Sequence, residues 1–242
     1  MILRSLIFFS LATGAFSLAT AAAWSATLSG KVVLRDSHLD AVNKQMDFSG
    51  VVVSAQPVDR LFTQPGAAHA TMLQKAKMFT PHILPVLAGT IVDFPNADPI
   101  FHNAFSSYSG QIFDVGLYAP GTSRSVRFTR PGVLRVFCNI HPAMSAIILV
   151  LNTPYFARTG RNGSFEMDIP AGEYELTVFH ERATEKELAS LTQRVVVSEP
   201  ALLIPPITIS EAGYLVAPHK NKYGHDYSPS SDDLVIYPGV GR

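Results

Sequence analysis

The sequence predicts an all-β protein of the sandwich class, and three observations support that prediction. Short runs of β-branched and aromatic residues recur along the chain, separated by glycine, proline and serine. Apolar and polar residues alternate within several of these runs, as Phe165, Met167 and Ile169 do with their neighbours. The turn signals recur at the spacing that β-sandwiches show. Only residues 181–192 have helical character, and a charged loop would account for them as well.

Residues 1–23 have the composition of a signal peptide. Arg4 precedes an apolar run, and the small residues from Ala21 to Ala23 fit a cleavage site before Trp24. An uncleaved membrane anchor is the alternative, but Ser, Thr and Gly interrupt the run, which is short for a spanning helix. No later segment of the sequence is long and apolar enough to span. We therefore expect a periplasmic or secreted protein with no membrane span once the signal is removed.

Charge and cysteine content narrow the function classes. The chain has 19 Lys and Arg against 19 Asp and Glu, so it lacks the basic surface that binding of nucleic acid needs. Its single cysteine, Cys138, cannot form an intramolecular disulfide. In an oxidising compartment a free thiol is open to oxidation unless it is buried or bound. The cleaved chain of about 219 residues suits one large or two small domains.

The predicted strands follow one another between residues 24 and 210. Gly89 and Thr90 predict a hairpin turn between two of them, and Pro131-Gly132 predicts another turn. Residues 211–242 are rich in Tyr, Pro, Gly and Ser and lack periodicity, so we predict a tail that packs through its tyrosines. The strand-forming runs, in order, are ATLSGKVVLRD, SGVVVSAQPV, PHILPVLAGTIVDFPNADP, QIFDVGLY, TSRSVRFTRPGVLRVFC, MSAIILVLNTP, GSFEMDIPAGEYELTVFHE, QRVVVSE and LIPPITIS.

The run CNIHPAM carries the strongest chemical signal. Cys138, His141 and Met144 supply a thiolate, an imidazole and a thioether at steps of three, on one loop between two predicted strands. A further ligand must come from elsewhere, and His102 lies in a turn region 36 residues before the cysteine. Two imidazoles, one thiolate and a weak axial thioether form the site that blue copper prefers. The residues therefore predict a copper site suited to electron transfer.

Other interpretations fit the same residues less well. Methionine is a poor ligand for structural zinc, which prefers four Cys or His ligands, and covalent haem would need a second cysteine. A nucleophile pair of Cys138 and His141 is conceivable, but no helix N-terminus or glycine-rich oxyanion loop is evident. Cys138 could also be a core residue and His141 a surface residue, although their ligand-like spacing disfavours this. A thiol enzyme and a structural role stay open as alternatives.

Residues 78–153 resemble a cupredoxin of the plastocyanin–amicyanin fold. The resemblance rests on GTIVDFPNADPIFHNAFS, on FTRPGVLRVFCNIHPAM and on the strand that follows. It implies that His102 and His141 are imidazole ligands, that Cys138 is the thiolate and that Met144 is the axial ligand of one type-1 copper ion. The short spacing between these loop residues is similar to that of amicyanin.

Two further positions bear on this resemblance. Asn103 matches the asparagine that, in many cupredoxins, ties the two ligand loops together by hydrogen bonds, although simple turn chemistry would also explain it. Asn139 and Ile140 stand where several small cupredoxins carry a proline. This departure could alter loop stiffness and potential, while the implied ligand set stays the same.

The flanking sequences resemble a carboxypeptidase regulatory-like domain, which is a small immunoglobulin-like sandwich. Its two halves lie about a hundred residues apart here, so the cupredoxin is either inserted into it or fused beside it. The whole arrangement is similar to a bacterial family often named methylamine utilisation protein. The predicted division is a signal peptide at 1–23, the first strands of the small sandwich at 24–66, a Greek-key cupredoxin sandwich at 67–153, the remainder of the small sandwich at 154–210 and a tail at 211–242.

These resemblances imply an exported type-1 copper protein that carries single electrons and is not an enzyme. The expected partner is a cytochrome, dehydrogenase or oxidase that docks transiently. Electrons are expected to leave through the exposed edge of His141, amid an apolar patch that includes Phe101, Pro142 and Ala143. A copper-binding module for storage, delivery or sensing, with little electron transfer, is the alternative.

The remaining histidines are predicted to be mainly structural. His82 is predicted to be half-buried in a strand, although it could be an accessory ligand. His180 is predicted either to face solvent or to be bonded at a strand end. His219 and His225 lie in the predicted tail, where they could capture copper weakly or simply be polar.

Overall fold

The computed structural model describes residues 25–59, 62, 68–107, 110–198, 201–214 and 219–227. The predicted signal peptide at residues 1–23 lies outside these described residues. The described part of the chain contains eighteen strands and two short helices, which confirms the all-β prediction. None of its helices has both the length and the apolar character that crossing a membrane requires.

The elements fall into three consecutive groups. The first group comprises β1 (Ser25–Arg35), α1 (Asp40–Asn43) and β2 (Val52–Pro57). The second comprises β3 (His69–Thr71), β4 (Leu73–Lys75), β5 (Met78–Thr80), β6 (Ile83–Leu87), β7 (Ile91–Pro95), β8 (Phe105–Ser106), β9 (Phe113–Asp114), β10 (Ser123–Arg127), β11 (Gly132–Phe137) and β12 (Ser145–Leu151). The third comprises β13 (Phe156–Arg158), β14 (Ser164–Pro170), β15 (Gly172–Phe179), α2 (Glu185–Ser190), β16 (Gln193–Val197), β17 (Ala201–Leu203) and β18 (Ile207–Ser210).

The first and third groups together form one sandwich. β1 pairs with β14 in antiparallel orientation and with β17 and β18 in parallel orientation, while the facing sheet has the strand order β13-β2-β15-β16. Leu28, Val53, Phe165 and Leu176 belong to the apolar core of this sandwich. Both flanks of the chain therefore build one sandwich, and the second group is inserted between its halves. The relation of this sandwich to the carboxypeptidase regulatory-like domain stays a prediction.

The segment around PAGEY carries the chain between the two sheets of this sandwich. β14 ends at Pro170 in one sheet, and β15 begins at Gly172 in the other. The Tyr174 ring is fully buried, and its hydroxyl donates to the carbonyl of Pro170 at 2.8 Å. This contact has the form of the tyrosine corner of immunoglobulin-like sandwiches. It gives a physical reason for a proline and a tyrosine at this spacing.

The second group forms an inserted sandwich with its own core. One sheet has the strand order β6-β12-β11-β8-β9 and the other has the order β10-β7-β3, while β4 and β5 pair with each other. Phe94, Phe128 and Leu134 are fully buried in its core. The hairpin predicted at Gly89 and Thr90 is wrong, because β6 pairs with β12 whereas β7 pairs with β10. That turn instead carries the chain from one sheet to the other.

The two sandwiches pack against each other through a third apolar cluster. Val52 of β2, Ile83 of β6, and Ile147 and Leu149 of β12 form this buried junction. Ile148 lies between the last two residues in sequence and belongs to the core of the inserted sandwich. β12 is therefore buried on both faces, which explains why SAIILVL is apolar throughout rather than alternating.

Two histidines correct the sequence-based expectations. His82 lies directly before β6 rather than in a strand, its side chain is 50% exposed, and its Nε2 lies 2.7 Å from the Glu181 carboxylate. Of the two alternatives predicted for His180, facing solvent is wrong, because the residue is 1% exposed, and bonding at a strand end is observed. It lies directly after β15, where its Nε2 donates to a carboxylate oxygen of Glu211 at 2.8 Å.

Candidate metal centre

Three side chains that can bind a metal converge inside the inserted sandwich. His102 and Cys138 are 0% exposed and His141 is 6% exposed. The Nδ1 atoms of His102 and His141 lie 3.1 Å apart. The Sγ atom of Cys138 lies 3.5 Å from Nδ1 of His141 and 3.9 Å from Nδ1 of His102. Among the described residues, these three form the one such cluster of His, Cys, Asp or Glu side chains, with all ligand atoms within 4.8 Å of one another.

A tight loop between β11 and β12 presents two of these donors. Cys138 directly follows β11, and Met144 directly precedes β12. The N–H of Cys138 donates to the carbonyl of Met144 at 3.1 Å, and the N–H of Met144 donates to the carbonyl of His141 at 2.9 Å. Because β11 and β12 pair in antiparallel orientation, both ends of the loop are anchored. The Met144 side chain is 1% exposed and packs in the same apolar cluster as Cys138.

The third donor comes from the segment between β7 and β8. His102 and Tyr118 exchange two backbone hydrogen bonds, of 3.1 and 2.9 Å. The Tyr118 hydroxyl donates to Oε1 of Gln74 and lies 2.9 Å from the carbonyl of Phe94, which belongs to β7. These contacts connect the backbone of His102 to the buried core, so the position of this donor is set by the fold.

Asp98 orients the ring of His102. Its Oδ2 accepts a hydrogen bond from Nε2 of His102 at 2.8 Å. The backbone N–H groups of Ala76 and Lys77 donate to the same carboxylate at 2.6 and 2.9 Å. Because Nε2 carries the proton in this arrangement, the lone pair of Nδ1 points towards Cys138 and His141.

The protonation states of these groups suit metal binding. Burial lowers the pKa of His102 below its ordinary value in spite of Asp98, so the imidazole is neutral at neutral pH. Burial acts to raise the pKa of Asp98, but the Lys77 N–H, the His102 ring and the Ala76 N–H together lower it by more, so this group is a carboxylate. Burial raises the pKa of the Cys138 thiol. That thiol therefore keeps its proton until a metal cation displaces it.

Asn103 connects the two loops that carry the donors. Its Oδ1 accepts the N–H of Asn139 at 3.3 Å, and its Nδ2 donates to Oδ1 of Asp114 at 2.8 Å. Asn103 directly follows His102, and Asn139 directly follows Cys138. The hydrogen bond between Asn103 and Asn139 therefore joins the residue after His102 to the residue after Cys138. This contact restricts how far the two donors can move apart.

The donor spacing fits a single metal ion. Bonds of about 2.0 Å to nitrogen and about 2.3 Å to sulfur, at angles of roughly 100–120°, place such donors roughly 3.1–3.8 Å apart. Two of the three separations, 3.1 and 3.5 Å, lie in this range, and the third, 3.9 Å, exceeds it by about 0.1 Å. Two imidazoles and a thiolate, with a thioether on the same loop, form a set that suits copper. The residues present therefore fit a copper ion.

His141, whose edge is expected to reach the surface, has little exposure. Its exposure is only 6%, whereas Phe101 and Pro142 are partly exposed and Ala143 is exposed. The surface beside the donors is therefore formed by residues around the imidazole rather than by the imidazole itself. His219, from the tail, adds to this surface, because its Nε2 donates to the carbonyl of Pro142 at 2.7 Å.

Several supporting residues were not found from the sequence. Asp114 lies in the predicted strand QIFDVGLY, where nothing marks it as a partner of the site, and the signal for Asp98 is only its place in the turn region that contains His102. The prediction that the tail packs through tyrosines is supported by Tyr227, whose hydroxyl donates to the carbonyl of Cys138 at 2.9 Å. His82, His219 and His225 do not belong to the donor cluster of the described residues.

Comparisons with known proteins give matches among solved structures. No family model matches the chain, and no curated protein matches it. A purple cupredoxin from Nitrosopumilus maritimus is 23% identical, with a TM-score of 0.32, over 34% of this chain and 99% of its own. A copper-containing nitrite reductase from Thermus scotoductus SA-01 is 27% identical, with a TM-score of 0.34, over 40% of this chain and 26% of its own. A Cu(I) amicyanin variant is 17% identical, with a TM-score of 0.33, over 35% of this chain and 83% of its own.

The strand arrangement of the inserted group is that of a two-layer β-sandwich. Two sheets enclose one apolar core, and a short loop between the adjacent antiparallel strands β11 and β12 carries two of the three clustered donors. The inserted sandwich is consistent with a cupredoxin-like fold.

Proposed function

We propose that this chain binds one type-1 copper ion and carries single electrons between redox proteins outside the cytoplasm. His102, Cys138 and His141 would be the principal ligands, and Met144 the axial ligand. When bound, copper supplies a one-electron couple between Cu(I) and Cu(II). The convergence of two imidazole nitrogens and one sulfur within 3.9 Å of one another is the observation that carries this proposal.

The protein surroundings prepare these donors in advance. Asp98 holds the His102 ring with its Nδ1 lone pair directed at the site, and Asn103 holds the two donor loops together. Cys138 loses its proton when a metal binds, and the backbone N–H groups of Ile140, Asn103 and His141 are directed at its sulfur. Donors that are held in this way need little rearrangement when the charge at the site changes, which favours fast electron transfer.

The burial of the site supports an electron carrier rather than an enzyme. Cys138 and His102 are fully buried and His141 nearly so, whereas a substrate site is an accessible cleft. Electrons would pass between the site and the surface near Pro142 and Ala143. A cytochrome, dehydrogenase or oxidase docking there for a short time would need only a small interface. A cleaved signal peptide at residues 1–23 would place the protein in the periplasm.

The optical spectrum of the copper-loaded protein tests this proposal. We expect Cu(II) to give an intense visible band from sulfur-to-copper charge transfer. Cys138→Ala should abolish the band, whereas His82→Ala, which removes an imidazole outside the cluster, should retain it. A colourless Cu(II) complex of the wild-type protein would rule out the type-1 assignment.

The burial of both imidazoles also favours a second candidate function. A copper storage or delivery module would benefit from a site that partners cannot reach easily, and His141 is only 6% exposed. Redox cycling distinguishes the two functions. Rapid and reversible cycling with a partner protein supports electron transfer, whereas very tight Cu(I) binding with slow cycling supports storage or delivery.

A further inference from the structure

Residues 219–227, which we call the brace segment, lie against the outside of the donor loop. The His219 ring stacks on Phe137, with ring centroids 4.0 Å apart, and its Nε2 donates to the carbonyl of Pro142. The Tyr227 hydroxyl donates to the carbonyl of Cys138, and the Tyr227 ring packs edge-on against His219. One short segment near the end of the chain therefore contacts the donor loop and the strand before it at three points, Phe137, Cys138 and Pro142.

Lys222 closes a ring of four hydrogen-bonded residues around the donor loops. Its backbone N–H donates to Oδ1 of Asn139 at 3.0 Å, and its Nζ donates to Oδ2 of Asp114 at 2.8 Å. Asp114 also accepts the Asn103 amide at 2.8 Å, and Asn103 accepts the Asn139 N–H at 3.3 Å. The ring joins four separate parts of the chain: Asn103 after His102, Asp114 in β9, Asn139 in the loop after β11, and Lys222 in the tail.

Charge strengthens this ring. The hydrogen bond to Asp114 raises the pKa of Lys222, so the side chain stays an ammonium group. Burial acts to raise the pKa of Asp114, but Lys222, the Gly116 N–H and Asn103 together lower it, so Asp114 is a carboxylate. The side chains are 23% and 39% exposed, so the ion pair is partly shielded from water. Charge-assisted hydrogen bonds of this kind are stronger than neutral ones.

We propose that Lys222 and Tyr227 are positioning residues of the metal centre, and that the brace segment holds the Cys138 loop against the His102 loop. The ring joins Asn139 and Asn103, each of which directly follows a donor, so loosening it would let the donors separate. Contacts outside the ligands themselves commonly set metal affinity in this way. The identity of the metal rests on the proposed function, but the brace is a property of the polypeptide.

Two measurements on the full-length chain test the brace. In copper-free protein, Lys222→Met should speed hydrogen exchange of the Asn139 amide by about threefold to fivefold, since a partly exposed ion pair is lost. In copper-loaded protein, the same variant should release copper to a chelator roughly tenfold faster and shift the visible band. Lys222→Arg keeps a cation that can reach Asp114 and should restore both values.

The controls separate this role from general effects of charge and folding. Lys220→Met removes an exposed cation two residues away and should behave as wild type. Tyr227→Phe removes only the hydroxyl at the Cys138 carbonyl and should also speed copper release. Identical exchange and release for Lys222→Met and Lys220→Met would overturn the brace. If wild-type protein bound no copper while Lys222→Met still exchanged faster at Asn139, the brace would stand and the proposed function would fail.

Discussion

At the scale of single residues, Asp98 shows how a buried site selects a tautomer. Its two oxygens accept three hydrogen bonds, from the N–H groups of Ala76 and Lys77 and from Nε2 of His102. All three partners are donors, so an acceptor is needed at every position around this group. The carboxylate therefore fixes where the His102 proton lies and leaves Nδ1 free to bind a metal.

We predict that Asp98→Asn weakens copper binding about tenfold to a hundredfold, the usual effect of losing a partner of a metal-bound histidine. The amide has the shape of the carboxylate, but its NH₂ group must face one of three donors, so at least one hydrogen bond is lost. Competition with a copper chelator measures the affinity. Asp93→Asn is the matched control, because Asp93 accepts from His69 elsewhere in the sandwich. Equal affinities for both variants would contradict the orienting role of Asp98.

The sequence predicted the donors better than their supports. The spacing of Cys138, His141 and Met144 predicts one loop, and a histidine after a strand is the natural further ligand. Asp98 lies in an irregular turn, where no period links a residue to its partner. The low exposure of His141 was not predicted either, because packing around the loop depends on contacts between residues far apart in sequence.

At the scale of elements, strands were predicted more reliably than their partners. Alternation and β-branched residues depend on each strand alone, so most strands were found. Gly89 and Thr90 allow the chain to reverse, but reversal within one sheet and passage to the facing sheet use similar turn residues. The turn between β6 and β7 passes to the facing sheet. Pairing is decided by which apolar faces meet, and that information is spread over the whole chain.

Gly163, which directly precedes β14, gives a prediction about stability. It has a φ of +79°, and an added Cβ would lie 2.0 Å from the carbonyl oxygen of Val32. We predict that Gly163→Ala lowers the free energy of unfolding by about 2–4 kcal/mol, through backbone strain and the disturbed hydrogen bond from the Val32 N–H to the Gly163 carbonyl. Urea denaturation measures this change.

Gly121 supplies the matched control for that experiment. It also has a positive φ, of +70°, but an added Cβ would meet no atom within 4 Å. Gly121→Ala should therefore cost only about 1–2 kcal/mol, the penalty of the left-handed conformation. An equal loss of stability at both positions would mean that the close approach to Val32 has no effect.

At the scale of the whole molecule, insertion of one sandwich into another joins the site to a larger frame. β1 pairs with β14 and β2 with β15, so the ends of the inserted segment leave from one rigid sandwich. The apolar junction around Ile147 and Leu149 then fixes the inserted sandwich against the sheet that contains β2. The sequence left open whether the small sandwich is interrupted or only adjacent, because strand pairs across about a hundred residues have no local signal.

The junction has a polar contact that predicts how stability depends on pH. The hydrogen bond between His82, before β6, and Glu181, after β15, raises the pKa of His82, although burial and Arg182 oppose the shift. A histidine whose pKa is higher in the folded state than in the unfolded state stabilises the folded protein. This stabilisation is complete below the unfolded-state pKa of about 6.5, and it is lost as the pH rises through the folded-state pKa. Burial lowers the pKa of His180, which gives the opposite dependence. The informative quantity is therefore the difference between wild type and His82→Gln in urea denaturation. We expect it to be largest below about pH 6.5, the ordinary pKa of histidine, and to decrease as the pH rises through the raised folded-state pKa of His82; a difference that does not change with pH would exclude this contact as the source.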